Sequence, residues 1–130
     1  MTSALYAVIA ALLLFWLTLQ VIKQRRGHKV TLGDGGNADL KGAIGAHSNA
    51  LDSIPIFLIL LFALEYNGGH LLLVHALGIV FMAARLIHAR ALLTSDLKLR
   101  VIGMHLTLWP LLALAVFNLL YLPYGKIFGG

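Results

Sequence analysis

Two polar clusters interrupt an otherwise apolar chain, and their side chains are the ones able to do chemistry. The first, His47-Ser48-Asn49-Ala50-Leu51-Asp52, runs straight into the apolar stretch from Ile54 to Leu64, and the second is Arg85-Leu86-Ile87-His88. Carrying an acid to the centre of a bilayer costs about 2.5 to 3.5 kcal/mol on insertion scales, so such residues are usually retained for a purpose. Gly45, Asn49 and Asp52 recur at i, i+4 and i+7, which puts them on one helix face, with Gly42, Ala46 and Ser53 beside it. Arg85 and His88 share a face at i, i+3. Arg85 has two readings. It snorkels from near the cytoplasmic end of its helix, or it pairs with Asp52 across an antiparallel contact closed by the Asn67-Gly68-Gly69 turn, which sets the two residues at comparable depth. The run Gly42-x-x-x-Ala46-x-x-x-Ala50 also suits close helix packing, a role compatible with either reading.

These residues need helices to position them, and composition supplies the helices. The chain has 130 residues, 60% of them hydrophobic and 12% charged, with a mean hydropathy of +0.89. Soluble domains run at about 45 to 50% apolar and about 25% charged, so this is a membrane protein. A bilayer core about 30 Å thick takes about 20 apolar residues in a helix, and four such windows occur: Ala4 to Ile22, Ile44 to Tyr66, His70 to His88 and Leu97 to Leu122. The expected architecture is an all-α integral membrane four-helix bundle forming one domain over 1–130, with helices at about 4–23, 39–66, 69–93 and 97–122. Pro55 and Pro110 should each free a carbonyl one turn earlier and bend their helices. Gly27 to Lys41 is polar and glycine-rich and reads as a loop, with Asn37 or Asp39 capping the next helix.

Charge sets the topology. Lys23, Arg25, Arg26, Lys29 and Lys41 lie in or beside the first loop, Arg85, Arg90, Lys98 and Arg100 flank the third, and Lys126 alone lies on the other side. Nine of the ten basic residues therefore share the cytoplasmic face, and both termini point outward. Tyr6, Tyr66, Tyr121 and Tyr124 then gather at the outer interface as an aromatic belt. The first apolar segment lacks a basic n-region and a cleavage site, so it reads as a retained helix. The +5 formal charge is carried at helix ends, where it anchors to lipid headgroups, and nucleic acid is not an expected partner.

Several other chemistries fit poorly. The absence of cysteine removes thiol nucleophiles and Cys metal sites. His47, His88 and His105 show no i, i+4 pair on one helix, so no metal site is expected. His70 and His75 read as packing or interfacial residues. Ser48 follows no strand and sits in no nucleophile elbow. Gly33-Asp34-Gly35-Gly36 lacks the spacing and preceding strand of a nucleotide fingerprint, and positive-φ turns explain its glycines.

Taken in order, Gln20-Val21-Ile22-x-x-Arg25-Arg26, Leu32-Gly33-Asp34-Gly35-Gly36-Asn37, Gly45-Ala46-His47-Ser48-Asn49-Ala50-Leu51-Asp52-Ser53-Ile54-Pro55, Ala84-Arg85-Leu86-x-His88 and Leu99-Arg100-Val101 resemble the MAPEG family, the membrane-associated proteins of eicosanoid and glutathione metabolism, and particularly its small bacterial members. The similarity spans essentially the whole chain. It implies a homotrimer in a bacterial inner membrane, with glutathione as cosubstrate bound between subunits near the cytoplasmic face. A lipophilic electrophile would enter from the bilayer, giving a glutathione transferase or peroxidase-like detoxification enzyme. By the resemblance, Arg100 is the candidate for stabilising the glutathione thiolate, with Arg26 second. Arg25, Asn49, Asp52, Arg85, His88, Ser53 and His47 are the candidate glutathione-binding residues, with Asp52 at a family Glu position that receives the peptide's ammonium group. The chain departs from the family pattern at Gly45, where an arginine is usual, at Ser53 in place of a tyrosine, and at His88 and Leu92 where aromatic hydroxyls are common.

Two further function classes use the same residues differently. A non-enzymatic lipophile-binding protein of the same fold would explain Gly45. A small proton-coupled transporter would need a titratable acid in its path; the first helix has none, and Asp52 could serve instead, although its place near the basic face fits ligand capture better.

Overall fold

The computed structural model describes residues 2–123. It is all-helical over those residues: α1 (Ser3–His28), α2 (Ala38–Tyr66), α3 (Leu71–Thr94) and α4 (Leu97–Tyr121). All four are long and apolar enough to cross a membrane. Tyr124 and Lys126, assigned above to the outer interface, lie outside the described residues.

Helix boundaries follow local chemistry. The Asn37 side chain accepts from the Leu40 amide at 3.0 Å, and Asp96 accepts from the Leu99 amide at 3.1 Å, so each caps its helix. At the head of α3 the His70 imidazole does the same for Leu72. Helix α1 runs five residues beyond the expected end at 23, through Lys23-Gln24-Arg25-Arg26 to His28. Charge ends the membrane span there but not the helix, because Lys, Gln and Arg are good helix formers and cations favour a helix C-terminus. The stop comes at Lys29, in the left-handed region at φ 56°, with the amides of Lys29 and Val30 both returning to the Arg25 carbonyl. Gly33, Gly35 and Gly36 all take positive φ in the loop that follows, as turn chemistry requires.

Helices α2 and α3 form the middle of the bundle. Helix α1 packs on both of them, and α4 packs on α3 and α2 from the other side, so that α1 and α4 do not touch among the described residues. The interior is a stripe of Ala46, Ala50, Ile54, Phe57, Leu61 and Leu64 from α2 against Val74, Phe81 and Ala89 from α3, with the Phe57 and Phe81 rings stacked 3.7 Å apart. Lipid is as apolar as these side chains, so close packing and buried hydrogen bonds hold the helices together. Asn118 donates to the Leu60 and Leu114 carbonyls at 2.9 Å each and ties α4 to α2. Near the start of α1 Tyr6 is 2% exposed and bonds His75 at 2.7 Å, so this tyrosine packs inside the bundle instead of joining an exposed aromatic belt.

Two glycines let α2 and α4 approach the backbone of α3. A Cβ on Gly42 would lie 2.6 Å from the Leu92 carbonyl oxygen, and one on Gly103 would lie 2.9 Å from the backbone of His88. Both obstacles are backbone, which cannot rotate away. Gly103→Ala is therefore expected to push α4 off α3 and lower stability by about 1 to 3 kcal/mol. Thermal unfolding in detergent reads it as a clear fall in Tm, and an unchanged Tm would contradict this packing.

Candidate functional site

The centre of the polar cluster is Arg85, which is 0% exposed. Because α3 continues to Thr94, Arg85 lies nine residues, about 13 Å, from the helix end, too deep for the snorkelling reading. Its Nη2 donates to Asn49 Oδ1 at 2.7 Å, and its Nη1 donates to Thr107 Oγ1 at 3.4 Å. Thr107 in turn donates to the Gly103 carbonyl at 2.8 Å, which orients its lone pair toward the guanidinium. The arginine thus bolts α2, α3 and α4 together through neutral partners alone. Among the described residues its Nε has no hydrogen-bond partner, and His88, one turn on and 1% exposed, has none at either ring nitrogen. A buried guanidinium held by neutral acceptors, with no counter-ion among the described residues, is polar machinery that hydrophobic packing does not require.

The expected Asp52 to Arg85 pair does not form. Asp52 is exposed, and Asn49 takes the guanidinium instead. Helix phase is the reason: at about 100° per residue, Asp52 sits roughly 160° around α2 from Ala50, at the centre of the buried stripe, whereas Asn49 lies at the margin of that stripe. The Gly45, Asn49, Asp52 face is real, but it straddles the bundle surface: Gly45 and Asn49 are half-buried and Asp52 is exposed. Ser53, half-buried, returns its hydroxyl to the Asn49 carbonyl at 3.2 Å, and His47 is half-buried on the same helix.

A cavity of about 570 Å³ opens at the end of the bundle where α2 begins, α3 ends and α4 begins. Lys41, Gly45 and Ser48 line it from α2, Leu92 from α3 and Arg100 from α4. Its size falls within the about 300 to 1,000 Å³ of small-molecule sites. Gly45 shapes one wall: a Cβ there would meet only Leu92 Cδ1, at 3.9 Å, so the missing side chain leaves usable space. Of the sequence candidates only Arg100 lines this cavity, while Arg85 and His88 are buried in the bundle and the half-buried Asn49 bonds to Arg85. Arg25 and Arg26 do not line it. Arg25 donates to the Gly33 carbonyl at 2.8 Å and Arg26 is exposed at the end of α1, the helix that does not touch α4. One chain therefore does not bring Arg26 to Arg100.

Sequence reasoning passed over three residues. Lys41 was counted only toward topology, although it stands four residues before Gly45 on the same face, which was the available signal. Ser48 was weighed only as a nucleophile. Thr107 was not singled out, and its spacing of four from Gly103 marks it only once α3 is known to pack there.

Comparison with known proteins agrees with this architecture. The inner membrane protein YecN of Escherichia coli K12 is 40% identical over 128 residues, covering 98% of both chains. The protein of the same name from Escherichia coli O6:H1 strain CFT073 matches to the same extent. The MAPEG family profile matches residues 3–120, nearly the whole described bundle. With four membrane-length helices and a family match from end to end, this chain belongs to the MAPEG family.

Proposed function

We propose that the protein is a membrane-bound glutathione transferase or peroxidase-like enzyme, using glutathione as cosubstrate to conjugate or reduce lipophilic electrophiles. The observation that carries this reading is the cavity, because it sets Arg100 at the wall of a space of ligand size beside the apolar helices. A thiol of pKa about 8.5 is only about 3% ionised at pH 7, and a guanidinium next to it favours the thiolate. Arg100 is placed to do this, while the glutathione carboxylates and ammonium group need cations and an acid around it. The exposed Asp52 and the α1 arginines, Arg25 and Arg26, supply those groups if neighbouring subunits of a homotrimer cover the outward face of α2. Asn49, Arg85 and His88 back that face, with His47 and Ser53 at its margin. The membrane is a bacterial inner membrane, with the cavity on the cytoplasmic side and both termini outside.

A family match alone does not assign chemistry. The purified protein should convert a lipophilic electrophile such as 1-chloro-2,4-dinitrobenzene in the presence of glutathione, and no conversion above the uncatalysed rate would overturn the enzymatic reading. Gly45 favours a second reading, a lipophile-binding protein without chemistry, because one guanidinium expected by the resemblance is absent. Calorimetry showing glutathione bound more tightly than about 1 mM argues against that alternative.

A further inference from the structure

The cavity holds two cations, Lys41 on α2 and Arg100 on α4, that its own helices do not explain. Both stand in the first turn of their helix, the end at which the helix dipole favours anions and disfavours cations. The last turn of α3, which also meets the cavity and whose dipole would welcome a cation, carries none. The carboxylate among the lining residues, Asp96, already accepts from the Leu99 amide as the cap of α4. Two cations are therefore held at the edge of a cavity against the local dipoles, on walls contributed by different helices.

We propose that Lys41 is a specificity-determining residue of this cavity: one turn before Gly45 on the same face of α2, it supplies the cation that Gly45 does not and favours ligands carrying two carboxylates, leaving the Arg100 guanidinium free for the rest of the ligand. The two α-helical N-termini, which begin at Ala38 and Leu97 and both line the cavity, add to the same attraction. A lysine suits this position because its ammonium acts as a point charge on a flexible stem, able to reach across the space that Gly45 leaves open. The identity of the ligand as glutathione rests on the proposed function. The selection of a dicarboxylate by Lys41 does not.

The test is calorimetric titration of the detergent-solubilised protein with glutathione, its glycyl monoethyl ester and glutarate. The wild type should bind glutathione roughly ten- to a hundredfold more tightly than the ester. Lys41→Gln should remove that preference by weakening glutathione binding while leaving the ester unchanged. Adding Gly45→Arg to Lys41→Gln should restore the preference, a rescue that a merely structural role for Lys41 would not produce. Glutarate bound with the same dependence on Lys41, when glutathione is ignored, would discard the glutathione reading and keep this inference. A Lys41→Gln protein that keeps the full preference, or loses affinity equally for all three ligands, would overturn it.

Discussion

Arg100→Ala is expected to slow glutathione conjugation about 25-fold at pH 7, with a loss that fades to near parity by about pH 9.5. The sign follows from the thiol. If Arg100 lowers the bound thiol from about 8.5 to about 6.5, the ionised fraction at pH 7 rises from about 3% to about 76%. Two units amount to about 2.7 kcal/mol of preference for the thiolate, within reach of one desolvated charge-assisted contact. Above both values the thiol is ionised with or without the arginine, so the variant recovers. A pH profile of turnover for both proteins checks this. A loss that stays constant with pH would mean that Arg100 binds the ligand without activating it, and turnover unchanged at pH 7 would remove Arg100 from the mechanism. Arg26→Ala, if neighbouring subunits place it at the same thiol, should show a weaker version of the same profile.

The second large effect concerns the buried arginine. Asn49→Leu should lower stability by about 3 to 5 kcal/mol, because it leaves a fully buried guanidinium with only the 3.4 Å contact to Thr107. The shape change is small, so the cost is electrostatic. Replacing both partners by apolar residues, Asn49→Leu with Arg85→Met, should recover most of the loss, since an apolar pair of similar volume leaves no charge unsatisfied. Thermal unfolding in detergent reads both variants. Equal destabilisation in the single and double variants would mean that the 2.7 Å bond between Arg85 and Asn49 does not carry the charge. The recovered double variant would also show whether the network serves stability alone: under the proposed function it folds but conjugates poorly, because the layer behind the cavity has lost its polar groups.

Membrane helices were legible in the sequence because the bilayer imposes one length on every span, and the four windows fall inside the four helices apart from end residues. Their ends were harder. The end of α1 was placed too early because charge signals where lipid stops, while backbone propensity and the left-handed Lys29 decide where the helix stops. At the site, spacing correctly grouped Gly45, Asn49 and Asp52 on one face but did not say which way that face looked. Phase relative to the buried stripe of α2 decides it, and Ala46 and Ala50, both fully buried, mark that stripe. Arg85 was recognisable as an intramembrane charge in need of a partner, yet the choice between Asn49 and Asp52 turned on three residues of helix rotation. Thr107 was invisible for another reason: its role exists only where α4 crosses α3 over Gly103, a tertiary fact with no local pattern. Lys41 was in plain view, and its count among topology-setting charges concealed its place on the cavity face.

Under the proposed function, glutathione occupies the cavity between the start of α2 and the start of α4. An electron cryomicroscopy map of the protein with saturating glutathione tests it most directly. Peptide-shaped density against Lys41 and Arg100, with the sulfur nearest Arg100, is the expected result. A well-ordered map with that cavity empty, or with the ligand bound elsewhere, would contradict it.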